Sequence, residues 1–234
     1  MKKIALSLFL FVAVASMAQT NLQLHYDLGK GRQYVTSTLE MFKPDKWGNT
    51  FFFVDMDFNS PNGNHPSAAY MEIARCLSLG KTPLSAHVEY NGGLFGAGNA
   101  YFPINNAWLA GLDYGWHDKS FNKFLNFKVL YKYIQAKHPA SFQLTGVWNL
   151  NFFDKKLTLS GFADFWKEDN MNFTDASGND IVPTNTKFVF ISEPQIWYNA
   201  TKNLSLGGEV EVATNFGAVD GLKVCPTLGA KWNF

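Results

Sequence analysis

The chain closes on "LKVCPTLGAKWNF" (residues 222–234), and the stretch alternates without a break. Leu222, Val224, Pro226, Leu228, Ala230, Trp232 and Phe234 are apolar, whereas Lys223, Cys225, Thr227, Gly229, Lys231 and Asn233 are polar or small. Successive side chains of a strand point to opposite faces, so this strand lies between two different environments. The rest of the chain decides which environment lies on each side.

The same alternation recurs, and it predicts twelve strands over 22–28, 34–42, 50–58, 69–79, 84–92, 107–116, 122–134, 141–152, 157–166, 187–198, 204–214 and 221–233. In 122–134, Leu125, Phe127, Val129, Tyr131 and Tyr133 oppose Asn126, Lys128, Leu130 and Lys132. The connections sort by length. Even-numbered ones are short and polar ("KPDKWGN", "GKTP", "HDKS", "FDKK", "NATKN"), and the odd ones include the three longest, "NSPNGNHPS", "GLFGAGNAYFPIN" and "KEDNMNFTDASGNDIVPTNT". Short turns on one side and long loops on the other mark an outer-membrane barrel with both termini on the periplasmic side. A soluble sandwich also has one apolar face, but it needs a strongly charged exterior. Here charged residues are only 17% of the chain, and the polar faces are rich in Asn, Thr, Ser and Gly, as a closed watery interior would be. Aromatics at 16%, with 22 Phe, would burden a soluble surface but suit an apolar exterior rimmed by aromatic belts. The expected fold is therefore all-β, a transmembrane antiparallel up-and-down β-barrel of about twelve strands, with the even positions of 222–234 facing lipid.

The first eighteen residues, "MKKIALSLFLFVAVASMA", read as a secretory signal peptide. Lys2 and Lys3 precede an apolar run, and the small residues Ser16 and Ala18 stand at the two positions a signal peptidase reads, which makes Gln19 the expected mature start. The expected domains are thus 1–18, a signal peptide, and 19–234, the barrel. Beyond residue 18 no apolar run approaches the roughly 18 residues of a membrane helix. Loss of Lys2 and Lys3 turns the formal charge from +1 to −1, which offers nucleic acid no electrostatic attraction. Cys76 and Cys225 fall on inward positions of distant strands; the periplasm permits a disulfide, and the simpler reading is two small lumen-facing residues.

By the alternation, Tyr34, Thr36, Thr38, Glu40 and Phe42 point inward, followed by Phe51, Phe53, Asp55 and Asp57, then Tyr70, Glu72, Ala74 and Cys76. Aromatic faces stack on flat heterocycles, and carboxylates accept hydrogen bonds from hydroxyls and exocyclic amines. Glu40, Phe42, Phe51, Phe53, Asp55 and Glu72 are therefore expected to bind solute, with inward Lys128, Lys132, Lys223 and Lys231 available to pair with the acids. Twelve strands enclose a bore between the filled interior of about eight strands and the wide channel of sixteen or more.

"LEMFKPDKWGNTFFFVDMD" followed by "AAYMEIARCLSL" resembles the nucleoside-specific outer-membrane channels of the Tsx type. The matching positions are Glu40, Phe42, Trp47, Asp55 and Met71-Glu72-Ile73, with a looser match in "NAWLAGLDYGW" and at the terminal aromatic. The resemblance covers mostly residues 34–116. It implies a twelve-stranded barrel that passes nucleosides by diffusion through a narrow, aromatic-lined lumen. The terminal strand ending in Phe234 likewise resembles the signal read by the barrel-assembly machinery.

Two other classes compete. A barrel enzyme acting on lipid would need a nucleophile and base near the lipid interface, but Ser85-x-His87 points inward, and His65, His117 and His138 fall in turns. A closed structural barrel would work through its loops, such as 167–186. No His-x-x-x-His spacing occurs, and "NGGLFGAGNA" (91–100) reads as a flexible loop over the pore rather than a phosphate cradle. The sequence thus points to a selective passive channel, not an enzyme, with no metal or cofactor. Its expected partners are a nucleoside-like solute, outer-membrane lipid and the assembly machinery.

Overall fold

The structure, a computed structural model, describes residues 19–59, 65–97, 100–137, 140–169, 186–217 and 219–234. The expected signal peptide over 1–18 and most of the 167–186 connection lie outside the described residues. The elements are β1 (Gln19–Asp27), β2 (Val35–Asp45), β3 (Gly48–Phe58), β4 (Ala68–Ser78), β5 (Leu84–Ala97), β6 (Ala100–His117) and β7 (Lys123–Ile134), continuing with β8 (Ser141–Phe152), β9 (Leu157–Asp169), β10 (Thr186–Ser192), β11 (Gln195–Asn199), β12 (Leu204–Thr214) and β13 (Leu222–Asn233).

Strands β1 to β9 each pair antiparallel with the next, and β13 returns to pair with β1, so the sheet closes. Strands β10 and β11 are two halves of one strand. Ser192 faces Ala163 and Gln195 faces Ser160 on β9, while on β12 they face Val212 and Glu209. The register therefore runs through Glu193 and Pro194 unchanged. Pro194 interrupts only the ladder, because proline has no N–H to donate. Counted this way the barrel has twelve strands. Gly161 on β9 makes this crossing possible: with φ at +145°, its missing Cβ would sit 2.4 Å from the Glu193 carbonyl oxygen.

Burial is inverted relative to a soluble domain. In β1 the polar Asn21, Gln23, His25 and Asp27 are buried, and Leu22, Leu24, Tyr26 and Leu28 are exposed. In β13, Cys225 is fully buried while Leu222 and Leu228 are 69% and 64% exposed. Apolar faces point out of a closed sheet only where the surroundings are themselves apolar. Exposed aromatics gather at both ends, with Trp47, Phe121, Phe153, Trp232 and Phe234 at one and Phe58, Tyr101, Phe102 and Phe188 at the other.

The end that holds Gln19 and Phe234 also carries the tight turns 46–47, 79–83, 118–122, 153–156 and 200–203. Side chains brace them: Asp45 Oδ1 accepts the Trp47 N–H at 2.7 Å, and Asp118 Oδ1 accepts those of Asn122 and Lys123 at 2.8 and 3.1 Å. The Ser120 hydroxyl and these amides hold the Asp118 carboxyl below the usual range.

One expected loop is strand. Residues 91–97 and 100–106 do not form a flexible cover, because β5 continues to Ala97 and β6 starts at Ala100. Leu94 pairs with Pro103 and Phe95 with Phe102, whose rings lie 5.7 Å apart. The register shifts between Asn91 and Gly93, where a Cβ would meet the Ala69 carbonyl at 2.1 Å. The glycines that suggested a loop thus serve a bulge and a close strand approach.

Val129, in the middle of β7, is 63% exposed. Val129→Lys is expected to cost about 2–4 kcal/mol in urea unfolding of vesicle-folded protein, because the site faces hydrocarbon. A change near zero would mean that this face meets water.

Candidate functional site

The expected solute-binding residues fall on one continuous stretch of inner wall. Across β2 and β3, Phe42 faces Phe51, Glu40 faces Phe53, and Thr38 faces Asp55. Across β3 and β4, Phe53 faces Glu72 and Asp55 faces Tyr70. Pairing of adjacent inward positions in this register produces a checkerboard of rings and carboxylates. The Phe51 and Phe53 rings are 6.1 Å apart and tilted by 55°, and Phe53 lies 6.0 Å from Tyr70. Glu40 accepts a hydrogen bond from Asn21 Nδ2 at 2.9 Å, and the Tyr70 hydroxyl donates to Glu72 at 2.7 Å. Asp55 Oδ1 is buried and has no hydrogen-bond partner among the described residues. A buried carboxylate oxygen with spare accepting capacity suits a ligand hydroxyl or amine.

The inner wall on the other side of β1 is polar and carries a buried ring. Trp197 on β11 is fully buried, with His25 edge-on at 5.6 Å and the Lys231 ammonium 4.2 Å from its ring centre. Its Nε1 donates to Gln195, which in turn donates to Glu209. Further round, Lys132 reaches Gln143 at 2.6 Å and stands 3.9 Å over the Trp166 ring. Thr145 donates to Asp164, and Trp166 donates to Glu168. Charges also act on one another across the lumen: Asp55 lies within electrostatic reach of Glu209, and Glu72 of Asp164 and Lys132. Glu193, beside Pro194, joins Asp55 and Glu209. This part of the lumen is therefore acidic, with Lys132 and Lys231 as partial counter-charges.

The end with the longer connections carries a clamp. Arg32, between β1 and β2, reaches down to Asp27 at 3.0 Å and Glu211 at 2.9 Å. Burial opposes the Arg32 charge, but Glu211 and Asp27 outweigh it, and the guanidinium pKa is raised. Next to it, burial and the neighbouring Asp57 push the Tyr34 phenol upward.

Near the opposite end, Cys76 Sγ lies 3.2 Å from His87 Nδ1 and 3.3 Å from Asp113 Oδ2. Cys76 and Cys225 are both free, as two small lumen-facing residues would be. With both ring nitrogens engaged by Cys76 and Glu89, His87 forms no dyad with Ser85. Sequence spacing named no ligand cluster, because these residues come from three strands and meet only through register. Trp197, Glu193 and Arg32 were also missed; Trp197 sits at an inward position of 187–198, so the alternation alone could have found it.

A closed sheet with a charged interior and an apolar, aromatic-belted exterior defines a β-barrel of the outer-membrane type. The sequence matches the family described as "Domain of unknown function (DUF5020)" over residues 18–234, and the chain belongs to that family. No curated protein matches it in sequence. Among solved structures it is similar to a NanC porin, with a TM-score of 0.58 and 9% identity over 92% of this chain and 100% of that one. LpxR from Salmonella typhimurium matches with a TM-score of 0.50 and 10% identity, covering 93% and 100% of the two chains. A KdgM porin matches at 0.49 and 10% identity over 92% and 99%. At such identities the likeness is one of fold.

Removing the Trp197 ring should leave a large void and an unstacked Lys231. Trp197→Ala is expected to cost about 3–5 kcal/mol in urea unfolding. A loss below about 1 kcal/mol would mean that the ring is not packed as described.

Proposed function

We propose that the protein is a passive outer-membrane channel for flat, neutral, hydroxyl-bearing solutes, with nucleosides as the leading class. The observation that carries this reading is the wall in which Phe51, Phe53 and Tyr70 interleave with Glu40, Asp55 and Glu72. A base stacks on the rings while ribose hydroxyls and exocyclic amines donate to the carboxylates. Acids concentrated within the lumen oppose anions, so nucleotides are rejected and cations pass more readily than anions. The porin fold of the NanC neighbour and the Tsx-type resemblance over 34–116 both support a channel.

In this reading the tight-turn end, with both termini, faces the periplasm, and the Arg32 clamp stands at the outer mouth. Solute enters past Arg32, meets the aromatic wall, and moves between carboxylates by exchanging hydrogen bonds. Binding stays weak at each position, as conduction requires. Phe42 continues the aromatic track toward the periplasm. The apolar exterior seats in lipid, and the strand ending in Phe234 is presented to the barrel-assembly machinery.

Single-channel recording in a planar bilayer tests the proposal. Millimolar adenosine should reduce the ionic current reversibly, and an anionic nucleotide should do so far less. Phe51→Ala or Phe53→Ala should weaken the adenosine block by roughly 5- to 150-fold, the equivalent of about 1–3 kcal/mol of stacking. Ionic current unchanged by adenosine would refute nucleoside selection, and a folded barrel that carries no current would refute the channel.

A further inference from the structure

Beyond transport, the lumen wall holds a group of donors that the solute path does not use. We propose that Cys76, His87 and Asp113 form a binding site for a zinc-class divalent cation. The site lies on β4, β5 and β6 near the tight-turn end, where Cys76 faces His87 and Asp113 faces the neighbouring inward residue Ser85. All three side chains are buried, and their donor atoms lie within 4.8 Å of one another. The triangle they form has sides of 3.2 Å from Sγ to Nδ1, 3.3 Å from Sγ to Oδ2, and 3.6 Å from Nδ1 to Oδ2. A tetrahedral zinc ion, with Zn–S of about 2.3 Å and Zn–N and Zn–O of about 2.0–2.1 Å, sets donor–donor edges of roughly 3.3–3.6 Å. The three donors are already spaced as one face of such a shell.

The surroundings match what a metal site requires of its supports. His87 Nε2 lies 2.9 Å from Glu89 Oε2, so a proton held there is donated to the carboxylate and the Nδ1 lone pair faces the triangle. Asp113 uses Oδ2 toward the cluster while Oδ1 accepts from Asn126 Nδ2, which fixes the carboxylate plane. Thiolate, imidazole and carboxylate together favour zinc-like ions over magnesium or calcium, which take oxygen ligands. On binding, the Cys76 S–H bond breaks, its proton leaves to solvent, and the sulfur lone pair forms the metal–sulfur bond. The thiolate and Asp113 then balance the two positive charges, and water completes the fourth position. Lys128 faces Asp113 across β6 and β7, so the ion has to compete with an ammonium, which favours a divalent over a monovalent cation.

A cysteine nucleophile activated by His87 fits less well. Asp113 places a second anion against the sulfur and opposes thiolate formation unless a cation lies between them. Cys76 and His87, at 4% and 1% exposure, are also closed to an acyl substrate.

Cobalt(II) titration of the full chain refolded in detergent tests the site. A single Co²⁺ should bind per chain, with tetrahedral visible bands and a thiolate-to-cobalt charge-transfer band, and Zn²⁺ should displace it. Cys76→Ser should abolish the charge-transfer band, while Cys225→Ser should leave it intact. Glu89→Gln, which keeps all three donors, should weaken binding by about 10- to 100-fold. No thiolate band in wild-type protein that runs as a folded barrel would overturn the proposal, as would a band that survives Cys76→Ser. Zinc-edge X-ray absorption of the folded wild type needs no variant: sulfur in the shell supports the site, and a sulfur-free shell refutes it.

Discussion

The seam between the first strand and the last constrains everything else in this molecule. In hydrocarbon an unpaired backbone N–H or C=O costs several kcal/mol, so a sheet can cross a membrane only without edges. Pairing of β1 with β13, from Asn21 opposite Asn233 to Asp27 opposite Thr227, removes the last edge. The C-terminus is fastened on both sides, since Asn233 N–H donates to Asn203 and Phe234 N–H to Thr20. Closure then divides every strand into an inner and an outer face. Charge has to go inside, because the outer face meets lipid.

That inward confinement explains why the interior is a set of polar networks rather than an apolar core. Buried polar groups in a low dielectric need partners. The chain supplies them across strands, from Asn21 to Glu40, Thr36 to Asp57 and Lys132 to Gln143, and along β1, where Gln23 donates to Asn21 and its Oε1 lies 3.1 Å from His25 Nε2. The networks leave different residues for different work along the axis. Arg32 ties the mouth with the longer connections, the ring–carboxylate wall occupies the middle, and Cys76, His87 and Asp113 sit toward the tight-turn end. The same confinement gathers acids such as Asp55, Glu72 and Glu209 within the lumen.

Much of this was legible in sequence, for a physical reason. A period of two is a one-dimensional signal, and strands between lipid and water display it strongly, so the strands and their inward faces, Glu40 and Glu72 among them, could be read directly. The alternation continued through Glu193 and Pro194 and gave one strand where the ladder breaks into β10 and β11. Composition misled at 91–106, because glycine marks both loops and bulges, and only the pairing of Phe95 with Phe102 separates them. Register is a relation between strands and leaves no local spacing. The meeting of Cys76 with His87 and Asp113 therefore could not be seen from any stretch of chain, whereas Phe51 and Phe53, on one strand, could.

The barrel requires successive side chains of each strand to face lipid and lumen in turn. Spin labels placed singly from residue 222 to 233, in protein folded into vesicles, measure this directly by collision with oxygen or with a water-soluble nickel chelate. Accessibility should alternate with a period of two, with oxygen favoured at positions 224 and 228 and the chelate favoured at 223, 227 and 231. Uniform access of the chelate to both sets, or the opposite phase, would contradict a barrel with lipid outside and charge within.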